Sequence, residues 1–325
     1  MTIFYSAINC RQLTQFSPIA NEIIYDPSKN YLFDLSYLAG LHVSGERAGE
    51  FLQGQLSCDL REVNVNQIRQ GALCNLKGRV LSLVDVVNWS LHGLHLILPS
   101  DLLLETQASL AKTAMFSRVT LSHAADYHLY GFYLQNRNDV IPFDMELPQT
   151  PLSVVYQDNY CCYRLDNHFY IFLIHLDQTP RVRDQFMKRS QWRGSLAWHA
   201  LQLQQRRIEI YPESRGMFLP HRLSLQQMGY LSFNKGCYKG QEIIARTHYR
   251  ATLKHELKIF TIETDETLQS GLHILSDNDS IDVGKLVDYC PIGAGKFLIA
   301  ASMLIEHPVT VHLEGHKHGI ILAGA

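Results

Sequence analysis

Residues 235–242 have the sequence Lys235-Gly236-Cys237-Tyr238-Lys239-Gly240-Gln241-Glu242, the most informative stretch of the chain. We call it the signature segment. Its glycines permit tight turns and close backbone approach, and its two lysines could stabilise a negative sulfur on Cys237. Most free cysteines are small buried hydrophobes. This setting instead favours an exposed, functional thiol.

The composition is that of an ordinary globular protein. The chain has 325 residues, 46% hydrophobic and 18% charged, which predicts two or three domains. Its net charge of −2 gives no global basic field, which argues against nucleic acid or an anionic membrane as a partner. Because no apolar run reaches the ~18 residues of a membrane span and no signal peptide begins the chain, we expect a cytosolic protein. The seven cysteines show no repeating spacing and are interpreted as reduced thiols.

Hydrophobic periodicity predicts an α+β fold. Alternating apolar residues favour strands, and helical spacing favours helices with Ser44 capping the first. The predicted strands cover 31–35, 79–87, 94–98, 128–134 and 168–175, and the predicted helices cover 178–193 and 195–207. Prolines and glycines in 208–234 predict an ordered loop that leads into the signature segment.

The C-terminal part has a different pattern. Short apolar runs separated by turns predict a small β-barrel. These runs are 257–262, 283–289, 297–303, 309–313 and 319–323.

Several functional motifs are weak. His248 is the histidine nearest to Cys237 along the chain, but nothing marks it as the partner of a catalytic cysteine. No Cys-x-x-Cys pair exists, and solvated turn residues explain the histidines at 312, 316 and 318, so we expect no metal site. The basic helix at 181–193 is interpreted as a solvated face. Trp198 is either a core residue or a ring that stacks on a flat ligand.

The signature segment, followed by Arg246, resembles the YgfZ family of bacterial folate-binding proteins, which are related to mitochondrial iron–sulfur assembly factors. That family is a branch of the fold of the glycine-cleavage T-protein, an aminomethyltransferase. The resemblance covers nearly the whole chain. Supporting blocks lie at 51–59, 71–79, 116–120, 207–209 and 218–220.

The resemblance implies a ring of three parts around a central cavity. Residues 1–135 and 136–245 would form two ferredoxin-like folate-binding subdomains, the second including the signature segment. Residues 246–325 would form the C-terminal barrel.

The resemblance also implies a ligand and a function. Tetrahydrofolate, or a one-carbon derivative, would occupy the cavity, and Trp198 falls where the family has a ligand-associated tryptophan. A second such position holds Leu38, with Tyr37 beside it. The protein would support the assembly or repair of iron–sulfur enzymes and tRNA modification (methylthiolation) through transient contacts with those enzymes. We expect no independent catalytic activity.

Seven residues are the candidates for the site. Cys237 would be the functional thiol, with its charge tuned by Lys235 and Arg246, and Glu242 would orient one of these two cations. The cofactor-binding candidates are Trp198, Tyr37, Lys235, Tyr238, Glu242 and Arg246.

Two alternatives remain open. After the 71–79 block the chain offers no carboxylate until Asp85, so aminomethyl transfer lacks the general base that T-proteins have there. A folate-dependent one-carbon transferase would therefore need Asp85 or Asp59 beside the folate. Direct tRNA binding would need a contiguous basic face, against which the net charge argues.

Overall fold

Antiparallel sheets dominate the fold. A computed structural model describes residues 2–89, 92–276, 281–316 and 318–324, and they form the predicted α+β architecture. The described helices are α1 (Ile19–Glu22), α2 (Ala48–Gln53), α3 (Leu103–Phe116), α4 (Thr179–Met187), α5 (Ser195–Gln204) and α6 (Gln241–Arg250). The described strands are β1 (Phe4–Ile8), β2 (Arg11–Gln15), β3 (Tyr31–Asp34), β4 (Leu38–Ser44), β5 (Arg69–Cys74), β6 (Val80–Trp89), β7 (Gly93–Pro99), β8 (Thr120–Ala124), β9 (Tyr127–Tyr133), β10 (Val154–Gln157), β11 (Tyr160–Arg164), β12 (Phe169–His175), β13 (Trp192–Arg193), β14 (His255–Glu263), β15 (His273–Ser276), β16 (Asp282–Gly293), β17 (Lys296–Leu304), β18 (Thr310–Leu313), β19 (Ile320–Ile321) and β20 (Ala323–Gly324).

Two sheets build the N-terminal two thirds of the chain. One has five strands in the order β5-β6-β7-β4-β8, and the other has six in the order β10-β11-β12-β9-β3-β13. β12 is buried along nearly its whole length because the sheet is covered on both faces. The six-stranded sheet takes strands from both sides of residue 135. The division of the first 245 residues into two subdomains stays a prediction.

The C-terminal sheet is a nearly closed barrel, as predicted. Its strand order is β19-β18-β15-β16-β17-β14-β20. β19 and β20 lie at opposite edges of the sheet, yet only Leu322 separates them along the chain. The chain itself therefore joins the two edges, which removes the exposed edge strands of an open sheet.

Helix α5 is the central element. Every residue from Ser195 to Leu203 is buried, and the helix packs against β2, β3, β16 and β17. It therefore contacts the N-terminal hairpin, the six-stranded sheet and the barrel together. No described helix is long and apolar enough to cross a membrane.

Two local predictions were wrong. The helix predicted over 178–193 ends at Met187, because Ser190 takes a left-handed φ of 58° and Trp192 then pairs in parallel with Leu32. Ser44 ends β4 and caps no helix, since the chain turns at Gly45 with φ 125° and α2 begins only after Arg47.

Candidate functional site

A cavity lies between the two N-terminal sheets and α5. Its volume is about 90 Å³, smaller than that of a usual small-molecule site, and its mouth is open to solvent. Its walls combine aliphatic side chains with polar groups from distant parts of the sequence. The aromatic and polar lining residues are Tyr37, Gln70, Asp85, Trp198, Gln202, Arg207, Glu209 and Tyr230.

Trp198 is both a core residue and a wall of the cavity. Its ring packs against Phe33 at 5.3 Å and Phe169 at 5.6 Å between centroids. A Cβ on Gly131 would lie 2.6 Å from Cε3 of the indole, so this glycine lets the sheet approach one face of the ring. The indole is only 2% exposed. Trp198 is therefore a nearly fully buried lining residue whose ring is held by its neighbours.

Asp85 places a carboxylate in the cavity wall. It accepts hydrogen bonds of 2.7 Å from Gln70 Nε2 and of 2.7 Å from the hydroxyl of Tyr163. Burial raises the pKa of this carboxyl above its usual range, although both hydrogen bonds oppose the shift. Of the two carboxylates considered from the sequence, Asp85 lies in the cavity. Asp59 does not, since it forms a 2.6 Å ion pair with Arg61 elsewhere.

Glu209 is a second cavity carboxylate. Its Oε1 accepts a 2.9 Å hydrogen bond from the Tyr37 hydroxyl, and its Oε2 pairs with Arg11 at 3.0 Å. Burial raises the pKa of Glu209, and the charge of Arg11 opposes that shift. The sequence did not lead us to Glu209 as a site residue. Its position in the 207–209 block, which supports the family resemblance, was the available indication.

A network of buried hydrogen bonds, centred on Asp288, holds the backbone of Glu209. Asp288 of the barrel accepts hydrogen bonds from the Glu209 backbone N–H at 2.7 Å, His199 Nε2 at 3.0 Å and the Tyr211 hydroxyl at 2.7 Å. Burial alone would lower the pKa of His199, but the Asp288 carboxylate outweighs it and the pKa is raised. Asp288 thus favours the protonated form of the imidazole, and these hydrogen bonds join the barrel to the cavity wall.

Two more polar side chains line the cavity. Arg207 donates to Gln70 Oε1 at 3.2 Å and to the Leu165 carbonyl at 3.2 Å. Gln202 has a buried Nε2 with no hydrogen-bond partner among the described residues. Both present donors that a ligand could use.

The signature segment lies elsewhere and is tied to the end of α2. The ammonium of Lys235 donates to the backbone carbonyls of Gln53 at 2.8 Å, Leu56 at 2.6 Å and Cys58 at 2.6 Å. Gln53 is the last residue of α2, and Leu56 and Cys58 follow it. The last carbonyls of a helix lack partners within it, so a cation at this end is favourable. Burial lowers the pKa of Lys235 to about 8.

Gly240 fastens the other end of the segment. It has φ 84°, and a Cβ there would lie 2.4 Å from the Asn75 carbonyl oxygen and 3.0 Å from Cα of Gly78. The backbone N–H of the neighbouring Lys239 donates to the Gly54 carbonyl at 3.1 Å. Between these anchors Tyr238 is buried and Cys237 is exposed. The segment is therefore a rigid loop that presents one thiol to solvent.

The chain is similar to several curated proteins called tRNA-modifying protein YgfZ. The one from Hamiltonella defensa is 32% identical over 222 residues, which are 67% of this chain and 66% of that protein. The chain belongs to the YgfZ family. The Klebsiella pneumoniae protein of this name is 30% identical over 66% of each chain, and that of Colwellia psychrerythraea is 26% identical over 74% of this chain and 75% of its own. The match thus spans about two thirds of the first relative's length. No protein-family model matches the chain.

A solved structure shares the fold of this YgfZ family member. The glycine cleavage system aminomethyltransferase T from Bartonella henselae matches with a TM-score of 0.74 over 99% of this chain and 93% of that chain. The two sequences are 14% identical. The likeness establishes the T-protein-like fold.

The predicted site residues of this YgfZ family member fall into two groups. Tyr37 and Trp198 line the cavity, whereas the five candidates of the signature segment and α6 are absent from its described walls. Glu242 and Arg246 are exposed, and no ion pair joins them in the part of the chain that the structure describes. The ammonium of Lys235 is held by backbone carbonyls. Its charge acts to lower the pKa of the buried Cys58 thiol, but burial has the larger effect and raises that pKa.

Proposed function

We propose that this protein binds tetrahydrofolate in the central cavity and supports the assembly or repair of iron–sulfur enzymes that modify tRNA. The observation that carries the folate proposal is the partly buried Glu209 carboxylate, hydrogen-bonded to Tyr37 in a cavity that Trp198 also lines. The names of the YgfZ relatives support the link to tRNA modification. We place this activity in the cytosol.

The pterin edge fits a carboxylate. A pterin carries an amino group beside a ring N–H, and a carboxylate accepts such a pair of parallel hydrogen bonds. The Glu209 oxygens each accept one protein hydrogen bond, from Tyr37 and Arg11, and each keeps a free lone pair. The partly buried setting strengthens these bonds because it limits the water that competes for the carboxylate.

The rest of the ligand has partners on the same walls. Arg207 bonds to one neutral side chain and one carbonyl, with Asp166 at 3.4 Å. The guanidinium is therefore incompletely paired and can bind the carboxylates of the folate glutamate tail. Gln202 offers its unpartnered Nε2 to the pteridine carbonyl or ring nitrogens.

Cys237 is the functional thiol in this proposal. It is exposed on a loop that Lys235 and Gly240 hold in place. A thiol so presented can reach a partner enzyme, where it would act as a redox-responsive group or as a transient ligand.

Folate binding is tested by titrating the pure protein with tetrahydrofolate while tryptophan fluorescence is followed. We expect a saturable change in the wild type and a much smaller change in Trp198→Phe, which keeps Trp89 and Trp192 as internal controls. No saturable response in either protein would remove the folate proposal.

A second candidate function is folate-dependent one-carbon transfer. The observation in its favour is Asp85, a cavity carboxylate whose pKa is raised by burial, as suits a general base. It predicts that purified protein turns over an aminomethyl- or methylene-folate and that Asp85→Asn abolishes the turnover. Absence of turnover with saturating folate would leave the binding protein as the better account.

A further inference from the structure

The surface around α6 has an excess of positive charge. Residues 239–254 contain four cations, Lys239, Arg246, Arg250 and Lys254, against the single carboxylate of Glu242. The net charge of the whole chain is −2, so this average conceals a local basic face. Arg246 and Arg250 are one helical turn apart and therefore project on the same side of α6.

The β5–β6 turn extends this basic surface. Gly78 lies against α6, since a Cβ on Gly78 would be 3.1 Å from Cβ of Ile243. The neighbouring Lys77 is exposed. We call the surface formed by Lys77, Lys239, Arg246, Tyr249, Arg250 and Lys254 the α6 face.

The cations of the α6 face are not used inside the protein. Within residues 2–89, 92–276, 281–316 and 318–324, the side chains of its lysines and arginines form no hydrogen bond or ion pair. Other cations of the chain, such as Arg11 and Arg164, are fully engaged. A surface with several unpaired cations and one carboxylate attracts a polyanion.

Two aromatic rings of α6 are exposed. His248 is exposed and stacks on Phe233 with a centroid distance of 3.8 Å and an interplanar angle of 14°. Tyr249 is 68% exposed and meets the His248 ring edge-on at 4.8 Å. His248 is two residues from each arginine and therefore projects on the opposite side of the helix, whereas Tyr249 adjoins Arg250. An exposed flat ring beside cations is a platform on which an unpaired nucleobase stacks.

We propose that the α6 face binds RNA at an unpaired segment. The arginines and lysines contact the phosphates, and a base stacks on Tyr249. An acidic protein would use the charges but not the exposed ring, which is why RNA is the better fit. Since Cys237 precedes α6 by four residues, bound RNA would lie near the thiol segment. The proposal does not rest on folate binding, because these residues do not line the cavity.

The test uses full-length protein and a fluorescent RNA hairpin with a seven-nucleotide loop. We expect Arg246→Glu/Arg250→Glu to weaken binding at least tenfold. A plot of the logarithm of the binding constant against the logarithm of the salt concentration should be less steep for Arg246→Ala/Arg250→Ala than for the wild type. The slopes should differ by about 1.4, since each lost phosphate contact removes ~0.7. Tyr249→Ala should weaken binding to the loop at least about fivefold through lost stacking, with no effect on a fully paired duplex.

The matched control reverses two charges on the other basic helix region. Arg181→Glu/Lys188→Glu alters equally exposed cations at α4 and should leave binding unchanged. Equal losses in both double variants would overturn the proposal, as would failure of the wild type to bind the hairpin at 150 mM salt. If polyglutamate competes as well as RNA and Tyr249→Ala binds normally, the face is a site for an acidic protein and the RNA assignment is wrong.

Discussion

The ammonium of Lys235 donates a 2.6 Å hydrogen bond to the backbone carbonyl of Cys58. Together with hydrogen bonds to the carbonyls of Gln53 and Leu56, this contact gives the signature lysine a structural role. The sequence suggested that Lys235 tunes the charge of Cys237, and that role stays a prediction.

Replacing Lys235 by Met should therefore destabilise the fold. The change leaves three backbone carbonyls, two of them in buried contacts, without this donor, and we expect the free energy of unfolding to fall by at least about 2 kcal/mol. Urea unfolding followed by circular dichroism measures it. Lys239→Met is the matched control, because that side chain has no partner among the described residues, and it should change stability by less than about 0.5 kcal/mol. Equal effects of the two substitutions would show that the carbonyl contacts contribute little.

The two glycines of the signature segment should respond differently to alanine. Gly240 combines φ 84° with a Cβ position 2.4 Å from the Asn75 carbonyl oxygen, so Gly240→Ala should cost at least about 2 kcal/mol. A Cβ on Gly236 would meet no atom within 4 Å, and Gly236→Ala should be neutral within about 0.5 kcal/mol. Thermal unfolding of the two variants makes the comparison. A neutral Gly240→Ala would mean that the turn can move away.

Much of the architecture could be predicted from local sequence. The α+β class and the C-terminal barrel follow from periodicity, and the signature segment leads to the family. The cavity could not be found in this way, because Asp85 and Glu209 come from distant segments that only the tertiary fold brings together. β13 was missed because two residues carry little periodicity, and its pairing with β3 comes from tertiary contact.

Cys237→Ser should abolish the support that the protein gives to iron–sulfur enzymes that modify tRNA, while the fold stays intact. In a strain that lacks the endogenous gene, this variant should leave the activity of an iron–sulfur tRNA-modifying enzyme near the level of the deletion. Cys10→Ser removes the other exposed thiol among the described residues and should restore full activity. Full restoration by Cys237→Ser would exclude the thiol from function.

The His199–Asp288 pair predicts a pH dependence of stability. The folded-state pKa of His199 is raised above its ordinary value of 6.5, because Asp288 outweighs the opposite effect of burial. The folded protein thus holds this proton more tightly than the unfolded chain. The stabilisation is complete below pH 6.5 and is lost as the pH rises through the folded-state pKa. The loss is about 1.4 kcal/mol for each pH unit that separates the folded-state pKa from the unfolded one.

Urea unfolding across pH 5.5 to 8.5 measures this loss. His199→Gln should be less stable at pH 5.5 and should lack the corresponding fall in stability above pH 6.5. His273→Gln is the control, since the His273–Asp282 pair at 2.7 Å is exposed and should leave the profile unchanged. Parallel pH profiles for wild type and His199→Gln would contradict a protonated, paired imidazole.

The most direct test of the central claim is calorimetric titration with tetrahydrofolate. Wild type should show one saturable site, and Glu209→Gln should bind at least tenfold more weakly, because the amide offers one acceptor where the carboxylate offers two. Glu46→Gln, at an exposed position, should bind as the wild type does. If the wild type shows no saturable heat, or if Glu209→Gln binds with the wild-type Kd, the folate site is not in this cavity as described.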